Sequence, residues 1–156
     1  GADKITINTA AIENPELISA GSRQFGSQAI VVSIDVRRGD KGALEVFSAC
    51  GHQATGMDPV DWAREVENRG AGEILLQRIE FDGMASGYDL DLISRVSSAV
   101  GIPVIANSGA GQFEHYAQAV QAGASAVAAA NLFHFREMSD RAGKKALQRA
   151  GIDVRM

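Results

Sequence analysis

Short apolar runs alternate along the chain with longer stretches in which apolar side chains recur every three or four positions. The clearest run is Ala29-Ile30-Val31-Val32-Ser33-Ile34-Asp35. Its body is nearly continuous rather than alternating, which suits a strand covered on both faces, as in a parallel sheet. Ile5-Thr6-Ile7-Asn8, residues 73–78, Pro103-Val104-Ile105-Ala106 and residues 124–132 read as further strands.

Helical periods follow each strand. Asn14, as N-cap, and Pro15, at the first helical position, open a helix that reaches about Phe25 and ends at Gly26. Asp58 and Pro59 repeat that start for a helix with Trp62 and Val66 on its apolar side. Asp89 begins a helix through Leu92, Ile93 and Val96 to Val100. Residues 112–121 place Phe113, Tyr116, Ala117 and Val120 on one face, and residues 140–149 form the last helix. Residues 36–57 read as a long loop, with a turn at Gly39-Asp40-Lys41-Gly42 and one hairpin arm at Leu44-Glu45-Val46-Phe47. Residues 80–88 and 107–111 are glycine-containing loops.

About five β–α units in strict alternation predict one α/β domain over residues 1–156, built on a parallel sheet with crossover helices. An open doubly wound sheet can be made from five units. A (β/α)₈ barrel needs eight and typically about 250 residues. Polar or glycine-rich segments follow most of the strands: Asn8-Thr9, Asp35, Asp82-Gly83, residues 107–111 and Ala130-Asn131. Such a spread of strand ends favours a barrel, because an open sheet concentrates its site at one switch point. The stretch from Gly1 to Thr9 also echoes that from Gly123 to Asn131: both begin Gly-Ala and run through a strand into small or polar residues.

Charge and composition narrow the function classes. The formal net charge of -4 argues against a general nucleic-acid binder, but leaves room for small anions held by backbone N–H groups. The single cysteine, Cys50, excludes an internal disulfide and fits a reducing cytoplasm. No apolar run is long enough to span a membrane, and the first residues lack the pattern of a signal peptide. His52, His115 and His134 show no metal spacing, and His115 and His134 read as structural. No cofactor fingerprint is present, so neither a metal nor a cofactor is expected.

Three segments carry candidate chemistry. Asp35, at a strand end, is either a loop carboxylate capping a turn or a general acid or base at a barrel mouth. Asp82-Gly83 is either a β-turn or an acid beside backbone that an anion can approach closely. Asn107-Ser108-Gly109-Ala110-Gly111 is either a plain turn or a phosphate cradle, with Ala130-Asn131 completing it from the next strand end.

Long ordered segments then resemble one family. Ile7-Asn8-Thr9-Ala10-Ala11-Ile12-Glu13-Asn14-Pro15, the run from Phe25 to Asp35, Arg69-Gly70-Ala71-Gly72-Glu73-Ile74-Leu75-Leu76, Asp82-Gly83 with Gly87-Tyr88-Asp89, and Phe133-His134-Phe135 are similar to the cyclase subunit of imidazole glycerol phosphate synthase. The resemblance implies a TIM barrel of two similar halves, present here as a partial barrel from the fourth strand to the C-terminus, with roughly 100 N-terminal residues lacking against typical barrel length. It implies ammonia supplied by a glutaminase subunit, added to an aminoimidazole carboxamide ribonucleotide that bears a ribulosyl phosphate. It implies two aspartates acting as general acid and base, with Asp35 corresponding to the second and the first outside this chain. It implies that Asn8 and Thr9 belong to one phosphate site and that Asp82, Gly83, Gly109, Ala130 and Asn131 form the other, so that the internal echo would pair equivalent positions of two halves. Lys4 and Glu73 match charged residues at the opposite mouth, where ammonia enters.

Some positions depart from the family's pattern. Gln77-Arg78 stand in place of a Thr-Ser pair beside the active centre, Asn107-Ser108 in place of Ser-Gly, Glu80-Phe81 in place of Asp-Arg, and Asn131 in place of a serine. Arg78 is expected to add charge and volume next to the site. Two other readings stay open: a related barrel that uses ammonia to build acetamidino groups on surface sugars, and a phosphate-binding half-barrel without catalysis. With one aspartate absent, the fragment is expected to be inactive alone. An incomplete barrel exposes sheet edges, so a homo-oligomer is expected.

Overall fold

The computed structural model describes residues 1–135 and 140–155. Five parallel strands lie side by side in chain order: β1 (Ile5–Ile7), β2 (Ile30–Arg38), β5 (Glu73–Arg78), β6 (Val104–Asn107) and β7 (Ala126–Val127). Helices α2 (Glu16–Phe25), α3 (Pro59–Asn68), α4 (Leu90–Ser97) and α5 (Glu114–Gln121) form the crossovers, and α7 (Asp140–Arg149) packs on α5. Strand alternation divides the sheet. Val32, Ile34, Ile74, Leu76, Val104 and Ala106 point to one face and join Ile18, Trp62, Val66, Leu92 and Val96 in a single core. Leu75, Gln77, Ile105 and Asn107 alternate onto the other face and are only half-buried. Among the described residues, β1 and β7 each have one strand neighbour.

Helix starts follow the sequence at α3 and α4. Asp58 Oδ1 accepts from Val60 N at 2.8 Å, and Asp89 Oδ1 accepts from Leu92 N at 3.0 Å, taking up N–H groups that a first helical turn leaves unpaired. The start of α2 differs. Asn14 is not its N-cap, because a five-residue helix, α1 (Thr9–Glu13), precedes it, and Asn14 instead donates its N–H to Ala10 O.

The segment 36–57 is less of a loop than expected: residues 36–38, 44–48 and 53–54 are strand, and the hairpin arm read at Leu44–Phe47 is present. β2 runs three residues past Asp35, and residues 35–38 pair antiparallel with β3 (Leu44–Ser48), which pairs with β4 (Gln53–Ala54). The hairpin sits on the same edge of β2 that β1 occupies lower down, since β5 takes the opposite edge throughout. Its far turn places Ala49 and Cys50 in the left-handed region, at φ 49° and 57°, with Cys50 exposed. The strand expected over 124–132 is also shorter: only Ala126 and Val127 pair, and Asn131 is the first residue of the short helix α6 (Asn131–Phe135). The segment is mostly alanine, which has little β preference to extend it. Among the described residues, no helix is long and apolar enough to cross a membrane.

Candidate functional site

The half-buried face of the sheet carries polar groups at both ends of its strands. At the C-terminal end, Asp35, Gln77 and Asn107 are register partners on β2, β5 and β6 and therefore stand abreast. Gln77 Nε2 donates to Asp35 Oδ1 at 2.8 Å and to Ser33 Oγ at 2.9 Å, and Ser33 Oγ donates to the same Oδ1 at 3.2 Å. Asn107 Nδ2 donates to Gln77 Oε1 at 2.5 Å. Among the described residues no donor reaches Asp35 Oδ2. Asp35 is buried, at 7% exposed, and shares the face of Gln77 and Asn107, with one carboxylate oxygen anchored and the other without a donor among the described residues.

Beside this row lies a cavity of about 160 Å³ lined by Gln77, Asp82, Asn107, Ser108, Gly109, Ala110, Ala129, Ala130 and Asn131. Four of the residues expected in one anion site, Asp82, Gly109, Ala130 and Asn131, thus meet. Gly83 lies alongside, its carbonyl 3.5 Å from Asn131 Nδ2. The cavity is smaller than the ~300 Å³ or more of a whole small-molecule site, and so fits a headgroup. Backbone geometry shapes it. Ser108 and Gly109 both take positive φ, at 75° and 97°, and a Cβ on Gly109 would stand 2.2 Å from Gly87 O. Gly87 N bonds Gly109 O at 2.8 Å, locking the loop after β5 to the loop after β6. Among the described residues no acceptor takes the N–H groups of Gly109 and Ala110, which leaves them for an anion.

Two aromatic groups outside the expected site residues hold this cradle. His115 Nδ1 accepts from Gly111 N at 3.1 Å, in keeping with the structural role read for it. Tyr88 donates its hydroxyl to Ala128 O at 2.9 Å, tying the loop after β5 to the end of β7, and burial pushes its phenol well above the ordinary range. The side chain of His134 lies outside the described residues.

Asn8 and Thr9 stand apart from the cradle. They follow β1, where Thr9 Oγ1 accepts from Ala49 N at 3.0 Å and Asn8 Oδ1 is buried without a partner among the described residues. Thr9 begins a five-residue helix with one residue between it and β1, and Asn131 begins another with three residues between it and β7, so the sequence echo has a structural counterpart. At the opposite end of the sheet Lys4 and Glu73 form an ion pair. Glu73 and Gln77 are four residues apart on β5 and point the same way, which separates the two polar ends by about 13 Å.

Arg78 does not enter the site. Alternation on β5 turns it to the helix-covered face, where it is 5% exposed. Its guanidinium bonds Asp89 Oδ2 at 3.0 Å, pairs with Glu80 and lies over the Phe81 ring. Burial alone would raise the Glu80 carboxyl, but hydrogen bonds from Arg78 and from the Arg38 backbone outweigh it and hold the group below its ordinary value. The charge at position 78 is neutralised where it stands and braces the loop before α4.

The C-terminal ends of neighbouring parallel strands therefore gather a carboxylate anchored through one oxygen and a glycine-containing loop around a small cavity, the arrangement of an α/β protein with its polar groups at one end of a parallel sheet. A family model described as "Histidine biosynthesis protein" matches residues 1–139, and the chain belongs to that family. It is 51% identical over 156 residues to the imidazole glycerol phosphate synthase subunit HisF of Pyrobaculum aerophilum, covering 100% of this chain and 61% of that protein. It is 48% identical to the subunit of the same name from Alkaliphilus metalliredigens, covering 99% of this chain and 62% of that protein. The chain thus spans a little over three fifths of the length of these relatives.

Proposed function

We propose that this chain is the fourth-strand-to-C-terminus part of a (β/α)₈ barrel and supplies one half of an ammonia-dependent cyclase–lyase site of histidine biosynthesis, working in the cytoplasm. The observation that carries the reading is the position of Asp35 on the same sheet face as the cradle, at the C-terminal ends of neighbouring strands. The strand order supports the barrel: parallel strands follow one another without the reversal that marks a doubly wound sheet.

In this reading a glutaminase partner delivers ammonia at the Lys4–Glu73 end. Ammonia travels along the sheet face to Asp35 and adds to the ribulosyl carbonyl of a phosphorylated aminoimidazole carboxamide ribonucleotide, whose oxygen leaves as water; ring closure then breaks the link to the aminoimidazole carboxamide ribotide, which is released alongside imidazole glycerol phosphate. Asp35 exchanges protons through Oδ2, and an aspartate outside this chain serves as its counterpart. Asp82, Gly83, Gly109, Ala130 and Asn131 hold one phosphate, while Asn8 and Thr9 help hold the other. The open edges of β1 and β7 favour self-association of the isolated chain.

The test is reconstitution. Purified chain, ribonucleotide and ammonium alone give no turnover. Adding the portion of the Pyrobaculum aerophilum relative that this chain does not match gives turnover that depends on Asp35. No turnover after a complex has formed overturns the reading. The amide side chains of Gln77, Asn107 and Asn131 favour a second reading, in which ammonia converts an acetamido group already on a surface sugar into an acetamidino group, with loss of water. Turnover with an acetamido sugar but not with the ribonucleotide selects it.

A further inference from the structure

We infer that Gln77 is a positioning residue for Asp35, oriented by Asn107, and that it makes Oδ2 the proton-exchanging oxygen of the carboxylate. The inference rests on the acid–base role proposed for Asp35.

An ionised carboxylate accepts hydrogen bonds and donates none, so only the Nε2 end of the Gln77 amide can face it. Both Nε2 protons are committed, one to Asp35 Oδ1 and one to Ser33 Oγ. The Oε1 end must then meet a donor, and Asn107 Nδ2 provides it at 2.5 Å. Three side chains from three adjacent strands thus form one directed row, with each orientation forced by the next. Asp35 Oδ1 receives two donors and is tied in place, while Oδ2 is left for a proton in transit.

The row couples two parts of the site, because Gln77 and Asn107 also line the anion cradle. A hydroxyl at position 77 could offer one proton and would stop short of this bridge. An amide reaches both the carboxylate and Asn107.

The tests use two readouts. In 15N-labelled chain the side-chain N–H pair of Gln77 is split and slow to exchange. Asp35→Ala and Asn107→Ala each collapse it toward the signals of a free glutamine. In the reconstituted enzyme Gln77→Leu, which keeps the bulk but removes the amide, lowers kcat about 10²-fold, the scale of a slightly misplaced reacting group, with KM moving less than about threefold. Gln77→Thr, with a hydroxyl and open space, does not restore kcat. A Gln77 signal that is free in the wild type, or insensitive to Asp35→Ala, overturns the proposal. So does wild-type kcat in Gln77→Leu. A bonded Gln77 signal together with a reconstituted enzyme that never turns over sinks only the acid–base role of Asp35.

Discussion

Gln77 and Asp35 are register partners on neighbouring strands, and the amide of one donates to the carboxylate of the other at 2.8 Å. Register partners in a parallel sheet share a face, so backbone pairing alone brings them together. The contact is built into the longest strand ladder among the described residues, the β2–β5 pairing of six residue pairs.

Replacing Asp35 with Asn separates chemistry from folding. The new amide oxygen can still accept from Ser33 and Gln77, so stability changes by no more than about 1 kcal/mol in urea unfolding. Turnover of the reconstituted enzyme falls by about 10²–10⁴, the usual contribution of a general acid or base.

The cradle loop answers in opposite directions at adjacent positions. Gly109→Ala sets a Cβ 2.2 Å from Gly87 O at φ 97°, and is expected to cost about 2 kcal/mol or more and to abolish inorganic phosphate binding in calorimetry. Ser108→Gly relieves a non-glycine residue at φ 75° and is expected to raise stability by up to about 1 kcal/mol. Unfolding curves of the two variants check both signs.

Arg78→Met leaves the carboxylates of Glu80 and Asp89 without their buried partner and is expected to cost about 3 kcal/mol. Its pH signature is specific. Glu80 titrates in the folded chain below its ordinary value of 4.5, so the stability it contributes is present above that pH and is lost as pH falls through the folded value. Arg78→Met therefore flattens the loss of stability on acidification below about 4.5. Thermal unfolding followed from pH 7 to 3 measures the difference.

Self-association is expected to follow from the open edges of β1 and β7. Light scattering on the isolated chain should give the mass of at least two copies, and adding the unmatched portion of a relative should shift it to a one-to-one complex. A monodisperse monomer counts against both the association and its proposed cause.

Elements with strong local signals were legible in one dimension. The Asp-Pro start of α3 and the apolar run of β2 needed no tertiary information. Helix α1 was not legible, because five residues between two asparagines carry too few periods to register. The end of β2 was missed because Arg37 and Arg38 look like loop residues, and only pairing with β3 keeps them extended. At the site, the glycine loops were readable as candidate cradles from local chemistry. The Asp35–Gln77–Asn107 row was not, since it depends on sheet register between residues 42 and 30 positions apart. Arg78 was misplaced for a related reason: its neighbour Gln77 faces the site, and alternation sends the two side chains in opposite directions.

The far turn of the hairpin makes the molecule its own reporter. Cys50 is exposed and is the chain's one cysteine, and the neighbouring Ala49 N–H is bonded to Thr9. A fluorophore attached there labels one point only, next to the strand end that carries Asn8 and Thr9. Its emission would follow occupancy of that end, while the cradle at Gly109, on the far side of β2 and β5, leaves it unchanged.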